Sequence, residues 1–342
     1  MAADPLVDVH VHLYPDAGSG QQAKDRYVIW EYGDDPGIDF SASTGDLTEL
    51  MALYRQAGFD RAIVVHLFDT ALAQAEAMTR LAFSGAPGAG RPDLGPGRAG
   101  PAATPCALRP AVPAGPAAAE AMRAAAEAMR ASNRWVAAVA RANPLIEVLI
   151  SIDPTIASPD EMVAHLAELA GAGVRGVKLH PVSQVFSPAD PRLFPIYDLC
   201  CDAGLVVLSH SGPGHRGGAS ATPAEFAPVL RQWPRLRLVL AHLGGASWPE
   251  TAELADSFPQ VVFDLSEIIE WAGAPNAPSA AELAGLIRHV GADRVMLGSD
   301  FPWYDPARTA DRVAGLPGLG PAERAAILGG TATRFFGLEV AA

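Results

Sequence analysis

Eight short apolar runs, separated by longer stretches with helical periodicity, constrain this chain more than any other feature of its sequence. The runs cover residues 6–13, 61–68, 146–152, 174–179, 205–209, 236–241, 261–265 and 295–298. Most are near-continuous in Val, Ile and Leu, the composition of strands buried on both faces of a parallel sheet. The stretches between them carry helix-start signals. Ser158, Pro159, Asp160 and Glu161 place an N-cap serine before a proline and two acids. Thr222, Pro223 and Glu225 repeat that logic, and Ser279 and Glu282 have capping-box spacing. Strands alternating with helices in this number predict an α/β fold, a (β/α)8 TIM barrel, ahead of a doubly wound open sheet. The chain's 342 residues, 49% of them hydrophobic, supply one such barrel spanning 1–342 as a single domain.

Two segments break the rhythm. Residues 14–43 follow the first strand and are long for a strand-to-helix loop. They carry Tyr14, Tyr27, Trp30 and Tyr32, and a loop of that length reads as a lid or binding loop. Residues 84–119, rich in Pro, Gly and Ala, read as a flexible insertion between the second and third strands. A helix over 116–141 then leads into the third strand.

The chemistry sits at the strand ends. The first run ends with His10 and His12, two residues apart and so on one side of a strand. The fourth ends at Lys178 and His180, the fifth at His210, the sixth at His242 and the eighth at Asp300. His180, His210 and His242 are spaced by 30 and 32 residues, about one strand–helix unit each. A barrel gathers its strand ends around one mouth, so these groups meet in space. Apolar strands that each stop at an imidazole or carboxylate are not explained by packing. Imidazole and carboxylate together suit one divalent cation, zinc first, with manganese, iron or cobalt as alternatives. Such an ion lowers the pKa of water and polarises a substrate oxygen.

The stretches DVHVHLYP (8–15), GVKLHP (176–181), LSHSG (208–212), LAHLGG (240–245) and LGSDFP (297–302) together resemble the amidohydrolase superfamily. The nearest likeness is to the branch containing aminocarboxymuconate-semialdehyde decarboxylase and related metal-dependent hydrolases. The resemblance spans nearly the whole chain. It implies metal ligation by His10, His12, His210 and Asp300. It gives His242 an acid, base or electrostatic role beside the metal, and lets Asp300 also relay a proton. It leaves Lys178 and His180 at a position of variable role, here assigned to substrate binding. Arg26, Trp30 and Glu267 join them as substrate-binding candidates: Arg26 to grip a carboxylate, Glu267 to orient water or substrate. His215 and Arg216 are weaker candidates for an anionic substrate.

Composition narrows the partners. The 25 basic and 38 acidic residues give a net charge of −13, which argues against nucleic acid and anionic membrane. Three cysteines, Cys106, Cys200 and Cys201, form no disulfide framework or metal pair, and with no secretion signal or apolar span they point to the cytoplasm. The expected partner is a small-molecule substrate, with a carboxylate-bearing one in view, and a homodimer is the family-level expectation. Three functions follow. The first is hydrolysis of an amide, lactone or ester-like carbonyl. The second is non-oxidative decarboxylation of an aromatic or enoic acid, and the third a non-catalytic binding barrel. The first is preferred.

Overall fold

The computed structural model describes residues 4–32, 39–84, 115–214, 218–274 and 277–339, with the side chains of 29–32 and 82–84 outside the description. Its strands are β1 (Val7–Val11), β2 (Arg61–Val65), β3 (Ile146–Ser151), β4 (Gly176–Leu179), β5 (Val206–Ser209), β6 (Arg237–Leu240), β7 (Val262–Asp264) and β8 (Val295–Met296). They form one sheet in sequence order, each strand pairing with the next in parallel. The residues after β8 return to β1. Val9 N–H donates to Leu297 O at 2.9 Å and His12 N–H to Phe301 O at 2.8 Å, with a parallel bridge between Val11 and Phe301. The sheet thereby closes into the (β/α)8 barrel that the alternation of runs predicts.

Alternate strand residues serve two apolar clusters, as the two-residue period requires. Ile63, Leu149, Val206, Val239 and Met296 pack in one. Val64, Ile150, Val207, Leu240 and Phe263 pack in a larger one with Leu166, Ile196, Leu230 and Ile287 from the surrounding helices. The helix over 159–170 starts as expected: Ser158 and Glu161 form a capping box ahead of Pro159. No described helix is long and apolar enough to cross a membrane.

The segment after β1 corrects the sequence reading. It is not a loop throughout: α1 (Ala17–Tyr32) occupies its centre, followed by α2 (Leu47–Ala57). Two glycines and a weak apolar stripe disguised the helix. Asp16 starts it, accepting the Ser19 N–H at 2.8 Å. Gly20 is needed for close approach, since a Cβ there would lie 1.8 Å from Thr44 O. After β2 come α3 (Thr70–Ser84) and α4 (Pro116–Ala142). Most of the insertion expected over 84–119 lies outside the described residues, as do Cys106, His215, Arg216 and the side chains of Trp30 and Tyr32.

One buried charge in β1 has a measurable consequence. Asp8 is fully buried. Its Oδ1 accepts the backbone N–H of His10 at 3.1 Å and of Ser299 at 2.9 Å. The buried Tyr54 hydroxyl lies beside the carboxylate. Burial outweighs the hydrogen bonds and pushes the Asp8 carboxyl up to about 7. A carboxyl raised on folding destabilises the fold as it ionises, so stability is lost as pH rises from about 4 through about 7. Asp8→Asn keeps the acceptor and removes the charge. The variant is expected to exceed the parent by up to about 4 kcal/mol at pH 8, an upper bound set by a shift of roughly three pKa units. The gain should shrink to nothing near pH 4, as read from urea midpoints across that range.

Candidate metal centre and active site

The strand ends converge on one mouth of the barrel. His10, His12, Lys178, His180, His210, His242 and Asp300 line one small pocket together with Tyr27, Leu67 and Trp303. All seven polar residues are buried. Three side chains come from left-handed backbone that non-glycine residues rarely adopt: His242 (φ 62°), Glu267 (φ 62°) and Asp300 (φ 60°). Glu267 is the most constrained. With ψ −61° and Ile268 N–H donating to Ser266 O at 2.6 Å, it centres a strained γ-turn. Gly298 clears room at the end of β8, since a Cβ there would lie 2.9 Å from that of His10.

His10, His12 and Asp300 form the convergent donor set, their ligating atoms lying within 4.8 Å of one another. His12 Nε2 is 3.1 Å from Asp300 Oδ1, and His10 Nε2 is 3.5 Å from the same oxygen. Lys178 Nζ lies 3.1 Å from His10 Nε2. His210 shares the pocket but stands one histidine further out: its Nδ1 is 3.1 Å from His242 Nε2, and its ring stacks on His180 with centroids 4.0 Å apart. His180 in turn meets the Tyr27 hydroxyl at 3.0 Å.

Hydrogen-bond polarity assigns the protons. Asp264 Oδ2, an acceptor only, lies 3.0 Å from His10 Nδ1, so Nδ1 carries the hydrogen and Nε2 keeps its lone pair for a cation. The carbonyl of Ser266 lies 3.1 Å from His242 Nδ1, which fixes His242 in the same tautomer. His242 Nε2 then accepts from His210 Nδ1, leaving the lone pair of His210 on Nε2. Burial, then the Lys178 charge, holds His10 down to about 3. Burial likewise lowers His12, His180 and His210. Neutral imidazole is the form that ligates a metal. Burial would raise the carboxyls of Asp264 and Asp300, yet the neighbouring histidines hold both below the usual carboxylate range. Burial lowers Lys178 to about 8, against the pull of Asp300, Asp264 and Glu267. Two neutral imidazoles and an ionised carboxylate converging on one point, with buried His12 Nδ1 lacking a hydrogen-bond partner among the described residues, fit a divalent ion.

Sequence reasoning missed Asp264 and Ser266. Asp264 is fully buried. Its Oδ1 accepts the His242 N–H at 3.1 Å, the Ser266 N–H at 3.0 Å and the Ser266 hydroxyl. The signal was present, because β7 ends at a carboxylate as β8 is followed by one, but the reading passed over it to Glu267. Glu267 itself reaches the pocket edge, with Oε2 3.6 Å from His242 Nδ1. Arg26 lies apart from the donor set. It lines an outer cleft with Tyr14, Tyr27, Phe68, Asp69 and Trp303. Lys24 does not face that cleft; its ammonium donates to the carbonyls of Ser41 and Ser43.

Comparisons with known proteins agree with the barrel fold. The amidohydrolase family model matches residues 7–338. An uncharacterised TIM-barrel protein from Bordetella bronchiseptica superposes with a TM-score of 0.67 at 19% identity, covering 97% of this chain and 98% of its own. A Pseudomonas putida protein provisionally identified as a 2-pyrone-4,6-dicarboxylic acid hydrolase gives 0.59 at 20% identity, covering 99% and 100%. A dihydroxybenzoic acid decarboxylase from Polaromonas sp. JS666, with bound manganese and the inhibitor 2-nitroresorcinol, gives 0.62 at 15% identity, covering 99% and 98%. At these identities the likeness is one of fold. The search of curated proteins gave no significant match.

Proposed function

The chain belongs to the amidohydrolase family, and we propose that within it the protein is a metal-dependent hydrolase of an uncharged carbonyl compound: a lactone, ester or amide. The observation that carries this reading is the convergence of His242, Glu267 and Asp300, whose ligating or proton-accepting atoms lie within 4.8 Å of one another. Hydrolysis needs a proton taken from water and another delivered to the leaving group, and such groups are what the pocket holds around its donor set. Backbone strain at all three residues supports a functional role.

His10, His12 and Asp300 would hold one divalent ion, for which we propose zinc, with manganese, iron or cobalt as alternatives; His210, which stands beyond His242 in the structure, is proposed as a fourth ligand on the family resemblance alone. When bound, that ion supplies Lewis acidity toward a substrate oxygen and acidifies water. Asp300, ionised across the neutral range, accepts the proton from the attacking water and passes it to the leaving group. His242, with hydrogen on Nδ1 and a lone pair on Nε2, assists proton movement opposite Asp300. Lys178 places a positive charge against the negative charge that develops on the carbonyl oxygen. His180, held by Tyr27, and the pocket-edge Glu267 orient the substrate.

The test uses dihydrocoumarin, phenyl acetate and acetanilide with the zinc-loaded protein in oxygen-18 water. One labelled oxygen per carboxylic acid formed is the expected result, with activity lost on chelation and restored by zinc. Release of carbon dioxide from a hydroxylated benzoate, with no labelled product from the other three compounds, overturns it in favour of decarboxylation.

A further inference from the structure

The outer cleft holds a charge arrangement that the hydrolytic chemistry does not use. Arg26 from α1 lines it between aromatic walls, Tyr14, Tyr27, Phe68 and Trp303, in a space of about 610 Å³ including its open mouth. Such walls suit the faces of a ring. The guanidinium is already engaged: its Nε and one terminal nitrogen each lie 3.3 Å from Asp69 Oδ2. Asp69 is not a casual surface partner. Its other oxygen accepts the Leu72 backbone N–H at 2.8 Å, so it caps α3 and is held where it stands. One oxygen fixes the helix start and the other faces Arg26.

An arginine at the mouth of a cleft is a carboxylate reader by default, because its fork matches two oxygens. Here a substrate carboxylate would meet that fork with an anion already on it. It would have to displace a carboxylate fixed by a helix cap, or sit beside it at like charge. We propose that Asp69 is a specificity-determining residue: it cancels Arg26, so that the cleft accepts uncharged ring compounds and turns away carboxylates. This is selectivity by a repulsive element. It rests on the proposed function, and adds that the outer cleft is the substrate's approach to the donor set. Tyr27, Leu67 and Trp303 border both spaces, so the two are adjacent.

Benzoate and benzamide have one shape and differ in charge, so they probe the arrangement by calorimetry on the zinc-loaded protein. Asp69→Asn keeps a strong helix-capping residue while removing the charge. It is expected to tighten benzoate binding about tenfold and to leave benzamide within about twofold. The effect is bounded because Arg26 and Asp69 have side chains 38% and 34% exposed and are screened by salt. Adding Arg26→Gln to Asp69→Asn should abolish the gain, which assigns it to the freed guanidinium. Equal gains for both probes, no gain for benzoate, or a gain that survives loss of Arg26 each overturn the proposal. Asp69→Ser, another capping residue, gives the same reading should the asparagine variant fail to fold. Binding is read over injections in which benzamide releases no ammonia, so the measurement is independent of turnover. Failure here therefore leaves hydrolysis standing, whereas decarboxylation of a hydroxylated benzoate in the labelled-water test overturns charge selection together with hydrolysis.

Discussion

Asp300→Asn is expected to lower hydrolytic turnover by at least about a thousandfold, the upper range for loss of a general acid–base group, and to weaken zinc binding in the same protein. The substitution is chosen for the backbone. Asp300 sits at φ 60°, and asparagine is among the few residues that visit that region readily, so the β8 end should keep its course. What disappears is the charge and the proton acceptor. Asp300 Oδ1 stands within 3.5 Å of both His10 Nε2 and His12 Nε2, and an amide in that place neither balances a dication nor carries a proton from water to a leaving group. The pH dependence has a definite sign. Burial raises the carboxyl, but His12 and His10 hold it below its ordinary value, so it stays ionised down through pH 4. The acid limb of the parent's rate profile should therefore not originate from Asp300. Steady-state kinetics on whichever ester or lactone takes up the label, with zinc titration by calorimetry, tests both halves. Turnover within about tenfold of the parent, at saturating zinc, would remove Asp300 from the mechanism.

The parts of this site that were legible in the sequence share one property: they lie on the strand register. The histidines at the ends of β1, β4, β5 and β6 each follow an apolar run, and a closed barrel turns that one-dimensional pattern into a ring. The closure of β8 on β1 through Leu297 and Phe301 follows from the same alternation. What escaped depends on pairs that only the fold creates. Asp69 follows β2 and Arg26 lies on α1, so no spacing rule joins them. The helix α1 was hidden because its sequence, with Gly18 and Gly20, lacks an apolar stripe, and its position is set by close packing against Thr44. The place of His210 was only partly legible. The strand pattern puts it at the mouth, but whether its ring faces the donor set or His242 is decided by the hydrogen-bond chain that Ser266 begins.

That chain gives the second large expectation. Asp264→Ala should weaken zinc binding by about 10–100-fold, the usual cost of losing a carboxylate behind a ligating histidine, although Asp264 lies outside the convergent set of His10, His12 and Asp300. The cause is orientation. With the carboxylate gone, His10 Nδ1 loses its fixed acceptor, and the tautomer that keeps Nε2 open for a cation is no longer enforced. The backbone N–H groups of His242 and Ser266 also lose the oxygen they share. These donors are buried, so the variant should be less stable by about 3 kcal/mol, at roughly 1–3 kcal/mol for each unsatisfied group. The two losses separate by substitution. Asp264→Asn restores an acceptor for the backbone donors and should recover most of the stability. Its neutral amide leaves His10 without a carboxylate, so metal affinity should remain well below the parent's. Nitrogen-15 spectra of the imidazoles read the tautomer of His10 directly, apart from either effect. If Asp264→Asn binds zinc as the parent does, with His10 still protonated on Nδ1, the β7 carboxylate serves the fold alone. If affinity and tautomer fall together while the denaturation midpoint recovers, the negative charge of Asp264 belongs to the metal centre, one bond network behind its ligands.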